Sequence, residues 1–308
     1  MSKTVLFFPG QASQYVGMAK DLYDSSDEVR QMYQMASDEI GADIARLSFD
    51  GPAEELKKTR FTQPAILLHS LAVLKIIGED LEAFDYAAGH SLGEYGALVV
   101  TGALSYEDAI RAVVKRAAFM EEACVKNPGT MAATMGLTPE QAQKVCDDAS
   151  DVGIIVPANF NSSSQIVLSG DIEAVKKGAE LAKAAGAKRA MLLPVGGAFH
   201  SPLMELAREG LQQFLEDIVI NRPKCPVVAN VTAAPVTEPN EIRSLLVEQV
   251  TSPVRWAQTM AFLKEAGVTK VIEIGPGKVL TGLARREIKP VESINLDTLE
   301  NVSALASV

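Results

Sequence analysis

Gly89-His90-Ser91-Leu92-Gly93-Glu94-Tyr95 closes a strand-like run, Tyr86–His90, and opens a helix-like segment. A serine between two glycines at a strand-to-helix junction matches a nucleophile elbow. The turn there is sharp, so its flanking positions must be small for the backbone to pass close to its neighbours. The hydroxyl is then held at the C-terminal edge of a sheet, which makes Ser91 a candidate nucleophile. GxSxG alone is a common loop pattern. The strand before it and the helix after it give it meaning here.

Working outward, further strand-like runs lie at Thr4–Phe8, Val227–Val231 and Lys270–Ile274, with helical patterns at Gln63–Ile77, Tyr106–Ala123, Pro202–Ile218, Pro239–Gln249 and Pro253–Ala266. Strands alternating with helices at this spacing predict a mainly parallel sheet covered on both faces. The middle of the chain reads differently. Strand-like runs at Thr130–Met135, Gly153–Phe160, Gln165–Ser169 and Arg189–Pro194 are interleaved with helices at Thr138–Ala149 and Asp171–Ala185. Asn161-Ser162-Ser163-Ser164 makes a hairpin loop between the second and third of them. The order β-α-β-β-α-β is the ferredoxin-like pattern. The expected fold is therefore α/β: a large α/β-hydrolase-like domain, residues 1–125 and 196–308, with an inserted ferredoxin-like subdomain, residues 126–195.

The 308 residues, 47% hydrophobic and 22% charged, have the balance of an ordinary globular protein. A formal net charge of −10 argues against general binding to nucleic acid or to an anionic membrane. No apolar run reads as a bilayer span, and the N-terminus reads as a first strand, not a signal peptide. Cys124, Cys146 and Cys225 are odd in number and outside metal-ligand spacing, so no metal site is expected and a reducing, cytoplasmic setting is.

A serine hydroxyl needs an adjacent base, and the chain offers three histidines. His69 falls inside an apolar helix, where a satisfied core or surface role is expected. His90 precedes Ser91 directly, and neighbouring strand side chains point to opposite faces. His200, in GGAFHSPLM before a helix, remains as the candidate general base. Acids between Ser91 and His200, such as Asp147, Asp148, Asp151 and Asp171, read as cap or surface residues. A Ser-His dyad with the imidazole oriented by a main-chain carbonyl is preferred to a triad, with an unlocated acid as the alternative. For the oxyanion, one donor is expected from the main-chain N–H of Leu92 and another from the loop Pro9–Gln14 that follows the first strand.

Several stretches in order resemble the malonyl-CoA:acyl carrier protein transacylases of type II fatty acid synthesis and the related synthase acyltransferase domains. They are FPGQASQ near the N-terminus, Thr62-Gln63-Pro64-Ala65, GHSLGEY, Arg116 in KRAAFM, ANFNSSSQIVLSG, GGAFHSPLM, Asn230-Val231-Thr232, Gln249 before TSPVRW, and EIGPGKVLTGL. The resemblance runs along nearly the whole chain. It implies malonyl transfer from a coenzyme A thioester to acyl carrier protein through a malonyl-serine, with no cofactor. Within it, Ser91 is the nucleophile, His200 its base, Gln11 and Leu92 the oxyanion donors, and Gln249 the residue whose carbonyl orients the histidine. Arg116 would bind the free carboxylate of malonyl, because a guanidinium fork matches a carboxylate bidentately. Phe199 would fill the space an α-methyl branch needs. Ala12 and Glu121 stand where the family commonly has glycine and glutamine, and Ser163-Ser164 replaces its usual hairpin tip.

An acidic carrier protein meeting an acidic chain needs a local basic patch, and the pairs Lys188-Arg189 and Arg285-Arg286 are the candidates. A monomer is expected. The competing readings are transfer for polyketide synthesis, a serine esterase or thioesterase, and a non-catalytic carrier-binding protein.

Overall fold

The structure, a computed structural model, describes residues 3–306. Among the described residues ten strands follow in chain order: β1 (Lys3–Phe8), β2 (Tyr86–Gly89), β3 (Gly129–Met135), β4 (Ile155–Ser162), β5 (Gln165–Asp171), β6 (Arg189–Leu192), β7 (Val227–Val228), β8 (Pro235–Val236), β9 (Val268–Ile274) and β10 (Glu292–Leu296). The larger sheet has the order β10-β9-β1-β2-β7-β8, and every pairing in it is parallel except β7 with β8.

β1 is central, and Val5, Leu6, Phe7 and Phe8 are all fully buried, as a parallel strand covered on both faces requires. Alternate side chains enter different cores. Leu6 and Phe8 join the helices Thr59–Ile77 and Tyr106–Lys126, while Val5 and Phe7 join Trp256–Glu265 and Val279–Glu287. Phe7 meets Trp256 edge-on, with ring centroids 4.9 Å apart. The helix Thr59–Ile77 is long and apolar enough by composition to cross a bilayer, contrary to the expectation from the sequence, yet most of it is packed inside this core.

The second sheet is antiparallel, in the order β4-β5-β3-β6. Helices Pro139–Ala149 and Ile172–Ala184 pack on one face of it against Ala132, Ile166 and Leu168. Thr138 and Gln141 close a reciprocal capping box at the start of the first of these helices. The opposite face presents Met131, Ala133 and Val167 to a cleft between the two sheets.

Several boundaries differ from the sequence pattern. The run Val227–Val231 keeps strand geometry only over Val227–Val228, because the chain turns at Asn230 to satisfy polar groups under Ser91. The pattern from Pro202 begins as a 3₁₀ turn, Pro202–Met204, before the α-helix Glu205–Glu216. The segment from Pro253 becomes helical only at Trp256, since Val254 first bridges to β4. The four helices between Lys20 and Leu56, among them the 14-residue Asp27–Ile40 with its Ser26 N-cap, the helix Val279–Glu287, the edge strand β10 and the helix Leu299–Ala306 lie outside the patterns read from the sequence.

Candidate active site

Ser91 sits at the tip of β2 with φ of 52°, in the left-handed region that a non-glycine residue occupies only under constraint. The flanking glycines make the turn sterically possible. A Cβ on Gly89 would lie 2.0 Å from Gly93 C, and one on Gly93 would lie 2.2 Å from Phe8 O. Asn230 supplies the constraint: its Oδ1 accepts from Ser91 N at 2.7 Å while its Nδ2 donates to Gly89 O at 2.7 Å. Gly93 N and Glu94 N donate to the His90 and Ser91 carbonyls, each at 3.0 Å. The helix Gly93–Val100 thus starts immediately below the hydroxyl, with the Leu92 amide at its first turn.

His200 also has a positive φ, 57°, and is buried. Its Nε2 lies 2.9 Å from Ser91 Oγ and its Nδ1 lies 2.8 Å from the main-chain O of Gln249. A proton on Nδ1 donated to that carbonyl leaves the Nε2 lone pair facing the hydroxyl. Burial, reinforced by the nearby Arg116 charge, pushes the His200 pKa down to about 3, against the opposing pull of the Gln249 carbonyl. The imidazole is therefore neutral at physiological pH. Ser169 Oγ donates to Phe199 O at 2.7 Å and fixes the segment leading into His200.

The other histidines are occupied elsewhere. His90 Nε2 lies 2.9 Å from Asn161 Oδ1, and His69 Nε2 lies 2.6 Å from Asp297 O. The four aspartates weighed as a third member also make their contacts away from His200. Asp147 accepts from Gln143, Asp148 from Lys144, Asp151 from Lys177 and Asp171 from Ile154 N.

Arg116, ten residues into its helix, is 1% exposed. Its Nη1 donates to Gln63 Oε1 at 2.5 Å, and its Nη2 donates to Ser91 Oγ at 2.8 Å and to Gln249 Oε1 at 3.0 Å. Its Nε is buried without a partner. A guanidinium desolvated this way, with one donor on Ser91 Oγ and another without a partner, is costly unless an acceptor completes its bonding. The hydroxyl is accordingly not freely exposed, as the elbow pattern alone would suggest, but held between the His200 imidazole and the Arg116 guanidinium. Phe199 lines the same space.

Gln11, on the loop after β1, lines the cleft together with Leu92. The next residue, Ala12, has φ of 78°. Gln14 Oε1 accepts from Ala12 N at 2.9 Å, and Tyr15 OH donates to Asp297 Oδ1 at 2.8 Å, so the loop is tied at both ends of its turn. A left-handed alanine costs about 1–2 kcal/mol, and glycine returns about 0.4–1 kcal/mol of that through its more disordered unfolded chain. Ala12→Gly is therefore expected to stabilise the protein by up to about 1 kcal/mol, read as a higher urea midpoint at unchanged slope.

The cleft holds about 530 Å³, a size suited to an acyl group and part of a pantetheine arm. Arg286 and Lys278 stand at its rim, and Arg285 is exposed on the same helix. Lys188 and Arg189 are exposed at the start of β6, outside the cleft lining. The two basic pairs are thus on different sheets' elements and do not form one patch by adjacency in sequence. Ser163, at the hairpin tip, donates through N and Oγ to Glu287 Oε1 at 3.0 and 2.9 Å, and so fastens the small sheet to the helix that carries Arg285 and Arg286. Glu121 lies away from the centre, 3.8 Å from Arg60.

Sequence reasoning assigned no role to Gln63, Glu94 or Asn230. The available signal was a polar residue inside an otherwise apolar segment, which burial makes costly unless it is bonded.

The acyl transferase domain family matches residues 5–301. A malonyl CoA-acyl carrier protein transacylase from Bacillus subtilis is 43% identical over 303 residues, which is 98% of this chain and 96% of that protein. The crystal structure of an acyl carrier protein S-malonyltransferase from Vibrio cholerae superimposes with a TM-score of 0.92 at 41% identity, covering 99% of this chain and 100% of the other. A malonyl-transacylase in complex with its type II PKS acyl-carrier protein superimposes with a TM-score of 0.93 at 40% identity, covering 99% of each chain.

Proposed function

The chain belongs to the acyl transferase domain family, and on that premise we propose that it moves malonyl from malonyl-CoA to the phosphopantetheine thiol of acyl carrier protein for fatty acid synthesis. The observation that carries this reading is the buried Arg116 Nη2, 2.8 Å from Ser91 Oγ. An esterase needs the serine and the histidine but no buried cation beside them.

The reaction is ping-pong. His200 Nε2 takes the proton of Ser91 as Oγ attacks the thioester carbonyl, and the main-chain N–H groups of Gln11 and Leu92 receive the oxyanion. The imidazolium, steadied by the Gln249 carbonyl, protonates the departing coenzyme A thiolate. The carrier thiol then gives its proton to His200 and collapses the malonyl-serine by the same steps in reverse. Arg116 holds the malonyl carboxylate throughout, and in doing so gives up its bond to Ser91 Oγ. Phe199 limits the room beside the α-carbon. The similar transacylase solved with a type II PKS carrier favours polyketide carrier protein as a second acceptor.

Intact-mass measurement after malonyl-CoA should show one malonyl on Ser91, stable in water and discharged by holo acyl carrier protein, with acetyl-CoA labelling far less. Accumulation of free malonate without a stable label would favour the hydrolase. Exchanging Arg285, or Lys188 and Arg189, for glutamate should slow discharge to carrier protein roughly tenfold or more at low salt and leave labelling by malonyl-CoA nearly intact. Equal loss of both half-reactions would remove those residues from carrier docking.

A further inference from the structure

Glu94 is the one carboxylate built into this centre, and the steps above give it no task. It is 2% exposed. Its Oε2 accepts from Gln249 Nε2 at 2.8 Å and from Asn230 N at 3.0 Å. Gln249 Nε2 also donates to Ser91 O at 3.1 Å, so the orientation of that amide is fixed and its Oε1 must face Arg116 Nη2, 3.0 Å away. A single amide therefore spans a buried anion and a buried cation, and the same residue's main chain holds His200.

We propose that Glu94 is the counter-charge of Arg116, a positioning residue that acts through the Gln249 amide to set how tightly the guanidinium holds an acyl carboxylate, and hence the preference for dicarboxylic over monocarboxylic acyl groups. The proposal rests on the malonyl reading. While Glu94 is ionised, Arg116 is already part-neutralised and a second carboxylate entering beside it meets a like charge. When Glu94 is protonated, the charge of the buried guanidinium is no longer offset through the Gln249 amide and it binds the entering carboxylate more strongly. By linkage, a bound malonyl carboxylate must in turn raise the affinity of Glu94 for a proton.

The surroundings leave Glu94 as the group that titrates near neutrality. Burial raises its pKa to about 7, against the lowering effect of its bonds to Asn230 and Gln249 and of the Arg116 charge. Around it, burial holds the His90 and His200 pKa values low and the Tyr95 phenol high, and lowers the Arg116 pKa against the raising pull of Tyr95 and Glu94; a guanidinium keeps its charge near neutrality all the same. The phosphates of coenzyme A titrate alike in any acyl-CoA and cancel from a ratio.

The test is the ratio of kcat/KM for malonyl-CoA to that for acetyl-CoA, followed from pH 5.5 to 8.5. For the wild-type protein the ratio should fall roughly three- to tenfold as pH rises through the Glu94 transition, the size of a screened charge–charge interaction. Glu94→Gln keeps an acceptor for both donors but never carries charge. Its ratio should be flat, equal to the wild-type ratio at low pH and above it at high pH. A merely structural role predicts the opposite, a lower ratio at every pH. A second measurement needs no variant: in weakly buffered solution with an indicator dye at pH 7.5, malonylation should take up a fraction of a proton beyond that seen with acetyl-CoA. A pH-independent wild-type ratio together with no excess uptake would overturn the proposal. Failure of malonyl-CoA to label Ser91 at all would instead overturn the function on which it rests.

Discussion

His200→Ala is expected to slow malonylation of Ser91 by ~10²–10⁴-fold, the usual contribution of a positioned general base, while malonyl-CoA binding changes little because Arg116 and the cleft remain. Single-turnover labelling followed by mass measures the chemical step apart from binding. The pH dependence carries a second signature. With its pKa depressed to about 3 by burial and by Arg116, the imidazole keeps its base form as pH falls well below the ordinary histidine range. The acid limb of kcat/KM, which reports the free enzyme, should therefore lie far below pH 6.5. Once the malonyl carboxylate neutralises Arg116, part of that depression is lifted and His200 becomes a stronger base. The acid limb of kcat should accordingly sit at higher pH than that of kcat/KM. Coincident limbs near pH 6.5 would show that the histidine is not buried beside a cation in the working enzyme.

Arg116→Ala is expected to lower kcat/KM for malonyl-CoA by ~10–100-fold or more, since a charge-assisted hydrogen bond contributes about 1.5–3 kcal/mol and the substrate carboxylate would be left in an apolar pocket without a partner. Acetyl-CoA has no carboxylate to lose, so its use should be retained or improved and the preference should collapse. Arg116→Lys should recover only part of the loss. An ammonium keeps the charge but cannot reach Gln63, Gln249 and a carboxylate with a planar fork. If the malonyl-to-acetyl ratio is unchanged in Arg116→Ala, the carboxylate is bound elsewhere. Because Gln63 and Gln249 each lose a buried donor, some destabilisation should accompany the variant, which makes the ratio the decisive readout and not the absolute rate.

The parts of the fold legible in the sequence are those whose cause is local. The elbow at Gly89–Gly93 is forced by close backbone approach, and its glycines announce it. The capping box at Thr138 and the alternating strands of the small sheet are likewise written within a few residues. Mixed short elements escaped this reading. β10, with the sequence ESINL, is a partly buried edge strand without clean alternation, and the strand at Val227 is cut short where Asn230 bonds Ser91, 139 residues from it in the chain.

The site divides along the same line. Ser91 and its elbow follow from neighbouring residues, and His200 follows from there being only three histidines to choose from. The roles of Gln249 and Arg116 came only from family resemblance, because no local pattern separates them from other glutamines and arginines. Asn230 beneath the elbow, Gln63 beside the guanidinium and Glu94 bridged to Gln249 required the folded chain.

The sequence by itself therefore determined the layered α/β architecture, the strained serine turn and the chemical class of its partner base, since these arise from steric and periodic constraints acting over a few residues. Tertiary structure alone decided which buried polar groups share a hydrogen-bond network. Glu94 and Gln249 are 155 positions apart, and Ser91 and His200 are 109 apart. The physical reason is desolvation: a polar group taken out of water must find a partner wherever packing places one, and packing joins segments with no regard to their distance along the chain.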